Sequence, residues 1–453
     1  MGQVRLRICV SYQSCPARLM LCGTFQLEFP FSRGFSRRLA RYQLYMLRKL
    51  GLVSFWQPSC GGDPLAAKRL TPIADKDLKG LKYFKILSPL LDRLHQDATA
   101  RDRAGNRRLF YDQYACLILL YFFNPIIKSL RGIQQATTLD KVQRLVGGNR
   151  VSRGSLSEAS QVFDPELLHA IIGELVAQAI PLAHGKEAEA LRGLTAVDGS
   201  LLSALPKMAW ALWKDEQHRA VKMHLHFDVL KGIPTHVSVT TGNGSEREQL
   251  RASMKPGGFY AFDRGYRDWA FFQEIAATGA SFVGRVQDNT VIHAAKERPV
   301  TAAAQAAGVL RDVEIKQTGN VRHKNNLQHP LRIVVVDTGK TLLNGQPDLL
   351  ILCTNRLDLP AEMVALAYKF RWTIELFFRW FKCILGCRHL LANGPDGVSI
   401  QIYLAIIASL LISIWTGRKP SVRTLEMLQF YLSGWATLDE LTTHLNQIKP
   451  VTN

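Results

Sequence analysis

Residues 368–382 read YKFRWTIELFFRWFK, a stretch in which helical spacing gathers the polar groups into a single row. At about 100° per residue, Tyr368, Arg371, Glu375, Arg379 and Lys382 fall within an arc of roughly 80° on one helix face. Phe370, Ile374, Phe377, Phe378 and Phe381 cover the remaining surface, which predicts a helix buried everywhere except along that row. One carboxylate among cations inside a buried helix is expensive, because buried charges cost several kcal/mol each unless paired or metal-bound. Such a helix either forms the wall of an active site or carries a structural Arg371–Glu375 pair at i,i+4.

Two acidic motifs upstream bear on that choice. In LTAVDGSLLSAL an apolar, β-prone run leads into Asp198 and Gly199, and in GGFYAFDRGYRDW a second apolar run delivers Asp263, then Arg264 and Gly265. Both carboxylates are expected at strand ends. An Asp before Gly is by itself an ordinary turn residue. Two of them followed by a Glu on a helix of this spacing make a more demanding set.

The combination VDGS, FDRGY and Y-x2-R-x3-E-x6-K closely resembles the bacterial insertion-sequence DDE transposases of the family-four type, which carry the YREK signature. The likeness runs from about Leu194 to Leu391, matches the helix motif at all four positions, and extends to SFVGRVQDN at 281–289. It implies an RNase H-like fold in which Asp198, Asp263 and Glu375 are catalytic and bind divalent metal. Cutting a phosphodiester and joining a 3′-hydroxyl to target DNA are in-line displacements at phosphorus, and two metals about 3.5–4 Å apart stabilise both the attacking and the leaving oxygen. Hard oxygen ligands suit Mg²⁺, with Mn²⁺ as an alternative, two ions per site. Asp198 is expected to bridge them, with Asp263 and Glu375 completing one site each. Arg371 and Lys382 would hold DNA phosphates, Arg as a fork and Lys as a point charge. Tyr368 would hydrogen-bond a phosphate or simply pack.

Composition agrees with a nucleic-acid partner: 57 Lys and Arg against 37 Asp and Glu give a formal charge of +20, which favours polyanions and salt-sensitive binding. The eight cysteines are scattered without a C-x2-C pair, so zinc is not expected and reduced thiols are. His224 and His226 share one strand face and read as partly exposed sheet residues rather than a metal site. The N-terminus MGQVRL does not read as a signal peptide. The stretches 109–123 and 400–415 fall short of the roughly 20 apolar residues that span a bilayer, so no membrane partner is expected and the second is read as a core helix packed behind the Glu375 helix. The expected location is cytoplasmic and nucleoid-associated.

The chain divides by pattern. Residues 1–70 read as a basic arm or a poorly ordered extension, with Met46 as an alternative start. Residues 76–190 are helical, with a capping box at Ser155–Glu158 and basic joints suited to gripping an element's terminal inverted repeats. An RNase H-like α/β catalytic domain occupies 191–290 and 356–420, opening with the Asp198 strand and a hairpin at 221–242 turning about Gly232 and Pro234. The 112 positions between Asp263 and Glu375 exceed what a plain RNase H-like domain needs, and 291–355 reads as a mostly β insertion. A helical tail takes 421–453. The resulting expectation is a DNA transposase acting on its own element's ends and on target DNA, as at least a homodimer, because both ends must be cut and joined together. A metal-dependent nuclease without strand transfer, or an inactive DNA-binding remnant, remain the alternatives.

Overall fold

The computed structural model describes residues 82–447 except 98–100, 103–104, 106, 216–217, 320–323, 343–344, 385, 387–388 and 418–420; the expected basic arm at 1–70 lies outside the described residues. The architecture is mixed α/β, with helices around one large sheet. Among the described residues seven helices come first: α1 (Lys82–Asp97), α2 (Tyr111–Phe123), α3 (Leu130–Ala136), α4 (Asp140–Val146), α5 (Arg153–Val162), α6 (Leu167–Gln178) and α7 (Lys186–Ala190). The capping box expected at Ser155 is displaced by one turn. Ser152 is the cap of α5, its side chain accepting from the Ser155 amide, and Ser155 lies inside the helix.

The nine strands among the described residues are β1 (Leu194–Ser203), β2 (Ala220–Asp228), β3 (Ile233–Thr241), β4 (Phe259–Phe262), β5 (Ser281–Arg285), β6 (His293–Glu297), β7 (Val309–Gly319), β8 (Lys324–Thr341) and β9 (Pro347–Thr354). They lie in the order β3-β2-β1-β4-β5-β9-β8-β7-β6. β1, β4 and β5 run parallel, while β9 pairs antiparallel with β5. The strands between residues 293 and 354 therefore continue the same sheet. β2 and β3 form the expected hairpin, closed through Gly232 at φ 67°, a left-handed conformation that glycine adopts without strain.

Between strands stand α8 (Glu246–Ser253), α9 (Trp269–Ala277) and α10 (Ala302–Ala306), and after them α11 (Ala361–Ile384), α12 (Pro395–Thr416), α13 (Val422–Leu432) and α14 (Leu438–Gln447). Alternation along the strands feeds two cores. Ala196, Phe259, Ala261, Val283 and Leu352 face a large one shared with α11, α12 and the early helices; Val197, Tyr260, Phe262, Phe282 and Ile351 face a second one under α8 and α9.

Two packing expectations change. α12 is apolar all round and long enough to cross a membrane, yet 89% of its most apolar window is buried. Its principal neighbours are α6, α2, α5 and β3 rather than α11, because a helix without a polar face has to be enclosed from every side. His224 and His226 are buried, not partly exposed: His224 Nε2 meets Thr240 Oγ1 at 2.8 Å and His226 Nε2 meets Ser253 Oγ at 3.1 Å beneath α8.

A buried ion pair anchors the approach to α11. Arg332 on β8 is 1% exposed and grips Asp312 on β7 through Nε and Nη2, both at 2.7 Å. Its Nη1 donates to the carbonyls of Arg356 and Leu359, in the loop that leads into α11.

Candidate active site

Sheet register brings the two aspartates together. On the parallel strands β1 and β4, Thr195 stands beside Tyr260 and Ala196 beside Ala261. Two residues further along each lie Asp198 and Asp263, at one level on neighbouring strands. By alternation both point to the side that Ala196 and Ala261 share with α11. β4 stops here because Asp263 caps a single 3-10 turn, Arg264–Tyr266, its Oδ1 accepting from the Gly265 amide at 2.8 Å. Asp198 is not at a strand end as expected. β1 continues to Ser203 against β2, and what ends near Asp198 is the pairing with β4. The ordinary turn chemistry of Asp-Gly is present too, since Asp198 Oδ1 accepts from the Gly199 amide at 2.8 Å.

α11 crosses this end of the sheet, touching β1, β4 and β5. Arg371 Nη2 donates to Glu375 Oε1 at 2.7 Å, and Nη1 lies 4.0 Å from Asp198 Oδ2, so the guanidinium stands between two carboxylates. Its Cζ is 5.6 Å from the Tyr368 ring centre and 5.8 Å from that of Trp372, within cation–π reach. Arg371 is only 8% exposed, and its buried Nε has no hydrogen-bond partner. The Tyr368 hydroxyl is held above its ordinary pKa by burial, against the pull of Arg371 and Arg285.

Asp198 is the most perturbed carboxyl here. Burial, then the charge of Asp263, push it up to about 7; the Gly199 amide opposes, Glu246 adds to the rise, and Arg371 again opposes. Burial and the Asp263 charge together thus outweigh what the Gly199 amide and Arg371 supply to the Asp198 carboxylate. Among the described residues no three His, Cys, Asp or Glu side chains are arranged to hold a metal ion, and Glu375 is turned onto Arg371. Lys382 stands two turns beyond Glu375, about 10 Å along the helix axis.

The helix differs from its expected burial on one flank. Ile374, Phe377, Phe378 and Phe381 are buried, but Lys369, Trp372 and Leu376 form an exposed stripe that joins Arg379 of the charged row. Two residues at the site escaped sequence reasoning. Arg285 ends β5 close enough to Tyr368 to pull on its hydroxyl, and nothing in SFVGR singles it out. Glu246 opens α8 behind the N-cap Ser245 and in sequence reads only as an acidic first turn.

The transposase DDE domain family matches residues 189–411, which span both aspartates, the β6–β9 strands, α11 and most of α12. A protein named putative transposase y4zB from Sinorhizobium fredii is 30% identical over 198 residues, 43% of this chain and 53% of that one. A probable transposase for insertion sequence element IS5377 from Geobacillus stearothermophilus is 26% identical over 242 residues, 51% of this chain and 60% of that one. A putative transposase for insertion sequence element IS4SA from Synechocystis sp. is 22% identical over 319 residues, 69% of this chain and 87% of that one. The match thus spans little more than half the length of the first two relatives.

Proposed function

We propose that this chain, a member of the insertion-sequence transposases with a DDE domain, binds the ends of its element, cleaves them and joins the 3′-hydroxyls to target DNA at the Asp198, Asp263 and Glu375 centre. The observation that carries the reading is the register of β1 and β4, which sets two carboxylates side by side, with α11 laying Arg371 and Glu375 across them. The sheet order, with β1 flanked by the β2–β3 hairpin on one side and parallel β4 and β5 on the other, supports an RNase H-like arrangement.

The donors fit a hard divalent cation. All are carboxylates, and the Asp198 carboxyl is raised by burial first and by the neighbouring Asp263 charge second, so a cation there would relieve both. Asp198 and Asp263 would hold Mg²⁺ or Mn²⁺ directly, and Glu375 would do so once it leaves Arg371. Bound there as a pair, the ions would neutralise charge growing on the attacking and leaving oxygens of an in-line displacement.

The chain's own residues do the rest. Arg371, released from Glu375, presents a planar fork to a phosphate, and Lys382 adds a point charge two turns along the same helix. Tyr368 borders Arg371 and either hydrogen-bonds a phosphate or packs. The chain's formal charge of +20 favours DNA as a partner. Because two ends must be cut and joined together, the working complex is at least a homodimer. The helical segment at 76–190 and its basic joints would grip the terminal inverted repeats, and the strands between 291 and 355 act as an insertion into the catalytic domain.

The test is a gel assay of the full chain with Mg²⁺, labelled DNA carrying the element's ends, and a plasmid target. End-specific cutting with label joined to the plasmid, both absent in Asp263→Asn and Glu375→Gln, is the expected result. Nicking without joining would point instead to a nuclease, and binding without cutting to an inactive remnant.

A further inference from the structure

We propose that Glu246 is a fourth carboxylate of the divalent-metal site, reaching it from the far face of the sheet through the space left by Gly199. The proposal rests on the metal reading of the Asp198 centre and adds a residue to it.

Alternation along β1 places Asp198 on the α11 side and Gly199, like Val197, on the side of α8. A Cβ at Gly199 would lie 2.5 Å from Glu246 Oε1, and a Cβ at Gly265 would lie 3.8 Å from Glu246 Oε2. One carboxylate is therefore seated between the residue that follows Asp198 and the residue two past Asp263. Neither glycine takes a left-handed φ, so backbone conformation does not demand glycine at either position. At Gly199 a side chain would displace the Glu246 carboxylate from this seat, so glycine there keeps the place open for it.

The plainer role for Glu246 is a structural one, as the first residue of α8 and a partner of Lys222. That pair is loose. Lys222 Nζ lies 3.5 Å from Glu246 Oε1 and spends its better hydrogen bond, at 2.9 Å, on the Gly244 carbonyl. A half-buried helix-terminal Glu with no other task would turn to water, away from two aspartates that repel it. Here it lies against the backbone carrying both. Arg371, more than nine-tenths buried with its Nε unpartnered, faces the same centre from the other side of the sheet.

The test is Mn²⁺ binding by the full chain, without DNA, followed by the loss of the free-Mn²⁺ electron paramagnetic resonance signal, with thermal melting alongside. We expect binding by the native chain, none by Asp198→Asn, and affinity lower by about tenfold or more in Glu246→Gln. Glu246→Asp, which keeps the charge but is a methylene shorter, should fall between, and it decides the matter if Glu246→Gln fails to fold. Native affinity in the folded Glu246 variants, with binding lost in Asp198→Asn, would overturn the proposal and leave the metal reading standing. No Mn²⁺ binding by the native chain would overturn the metal reading and this proposal with it.

Discussion

Two buried arginines, Arg332 and Arg371, face carboxylates at opposite ends of the loop and helix that join them, and they are treated differently. Arg332 spends Nε and Nη2 on Asp312 and Nη1 on two backbone carbonyls. Arg371 has one hydrogen bond to Glu375, a 4.0 Å approach to Asp198, and a buried Nε with no partner. A satisfied buried charge holds structure, here the entry to α11. Against burial, Arg371 is also held in its charged form by Glu375, Tyr368 and Asp198, but it keeps donor capacity unspent at Nε beside a raised carboxyl, as a site built for a charged ligand requires.

The comparison breaks most visibly at Arg332. Replacing it with Met strips the buried Asp312 of both its short hydrogen bonds and leaves it only the looser pair with Arg298 Nε at 3.7 Å, which should cost about 3 kcal/mol of stability, read as a lower denaturant midpoint. Arg371→Met should cost less, about 2 kcal/mol, while removing DNA cleavage, because one charge-assisted hydrogen bond and no backbone carbonyl depends on it. Comparable destabilisation by both substitutions would dissolve the distinction.

Away from the site, the buried His226 and the half-buried His236 pack edge to face on β2 and β3. Burial lowers His226 to about 3 and His236 to about 4, against an ordinary 6.5. Folded values below the unfolded one mean that the unfolded chain takes up protons first. Stability from the neutral rings is then complete above about pH 6.5 and is lost as pH falls toward 4. The urea midpoint should decline across that window, and His236→Gln should flatten the decline. A midpoint indifferent to pH there would show the rings to be solvated. The smallest effect belongs to Lys382→Ala, which should reduce the salt slope of DNA binding by about one unit; an unchanged slope would make Lys382 structural.

Much of the scaffold was legible because its signals are local. The Asp198 and Asp263 strands, the hairpin at Gly232, the three long strands before α11 and the charged row of α11 all follow from periodicity and turn residues within a short window. What stayed hidden depends on partners distant in sequence. Asp312 and Arg332 are 20 positions apart and look like surface charges until β7 and β8 pair. Glu246 reads as helix-capping chemistry until Gly199 is seen to open the strand behind it. His224 and His226 read as half-exposed because nothing local announces that α8 covers them. Ser152 rather than Ser155 starts α5, a one-turn error that cap chemistry alone permits, since serines occupy both positions.

The central claim is that the Asp198 centre sacrifices stability for chemistry, and one paired measurement on Asp198→Asn tests it. A carboxyl whose folded pKa is raised above its unfolded value weakens the native state at neutral pH and does so less as pH falls. Removing that charge should raise or leave unchanged the melting temperature at pH 7.5 while abolishing end cleavage with Mg²⁺. A melting temperature lowered by several degrees, with cutting and joining at the native rate, would make Asp198 a structural residue and contradict the account.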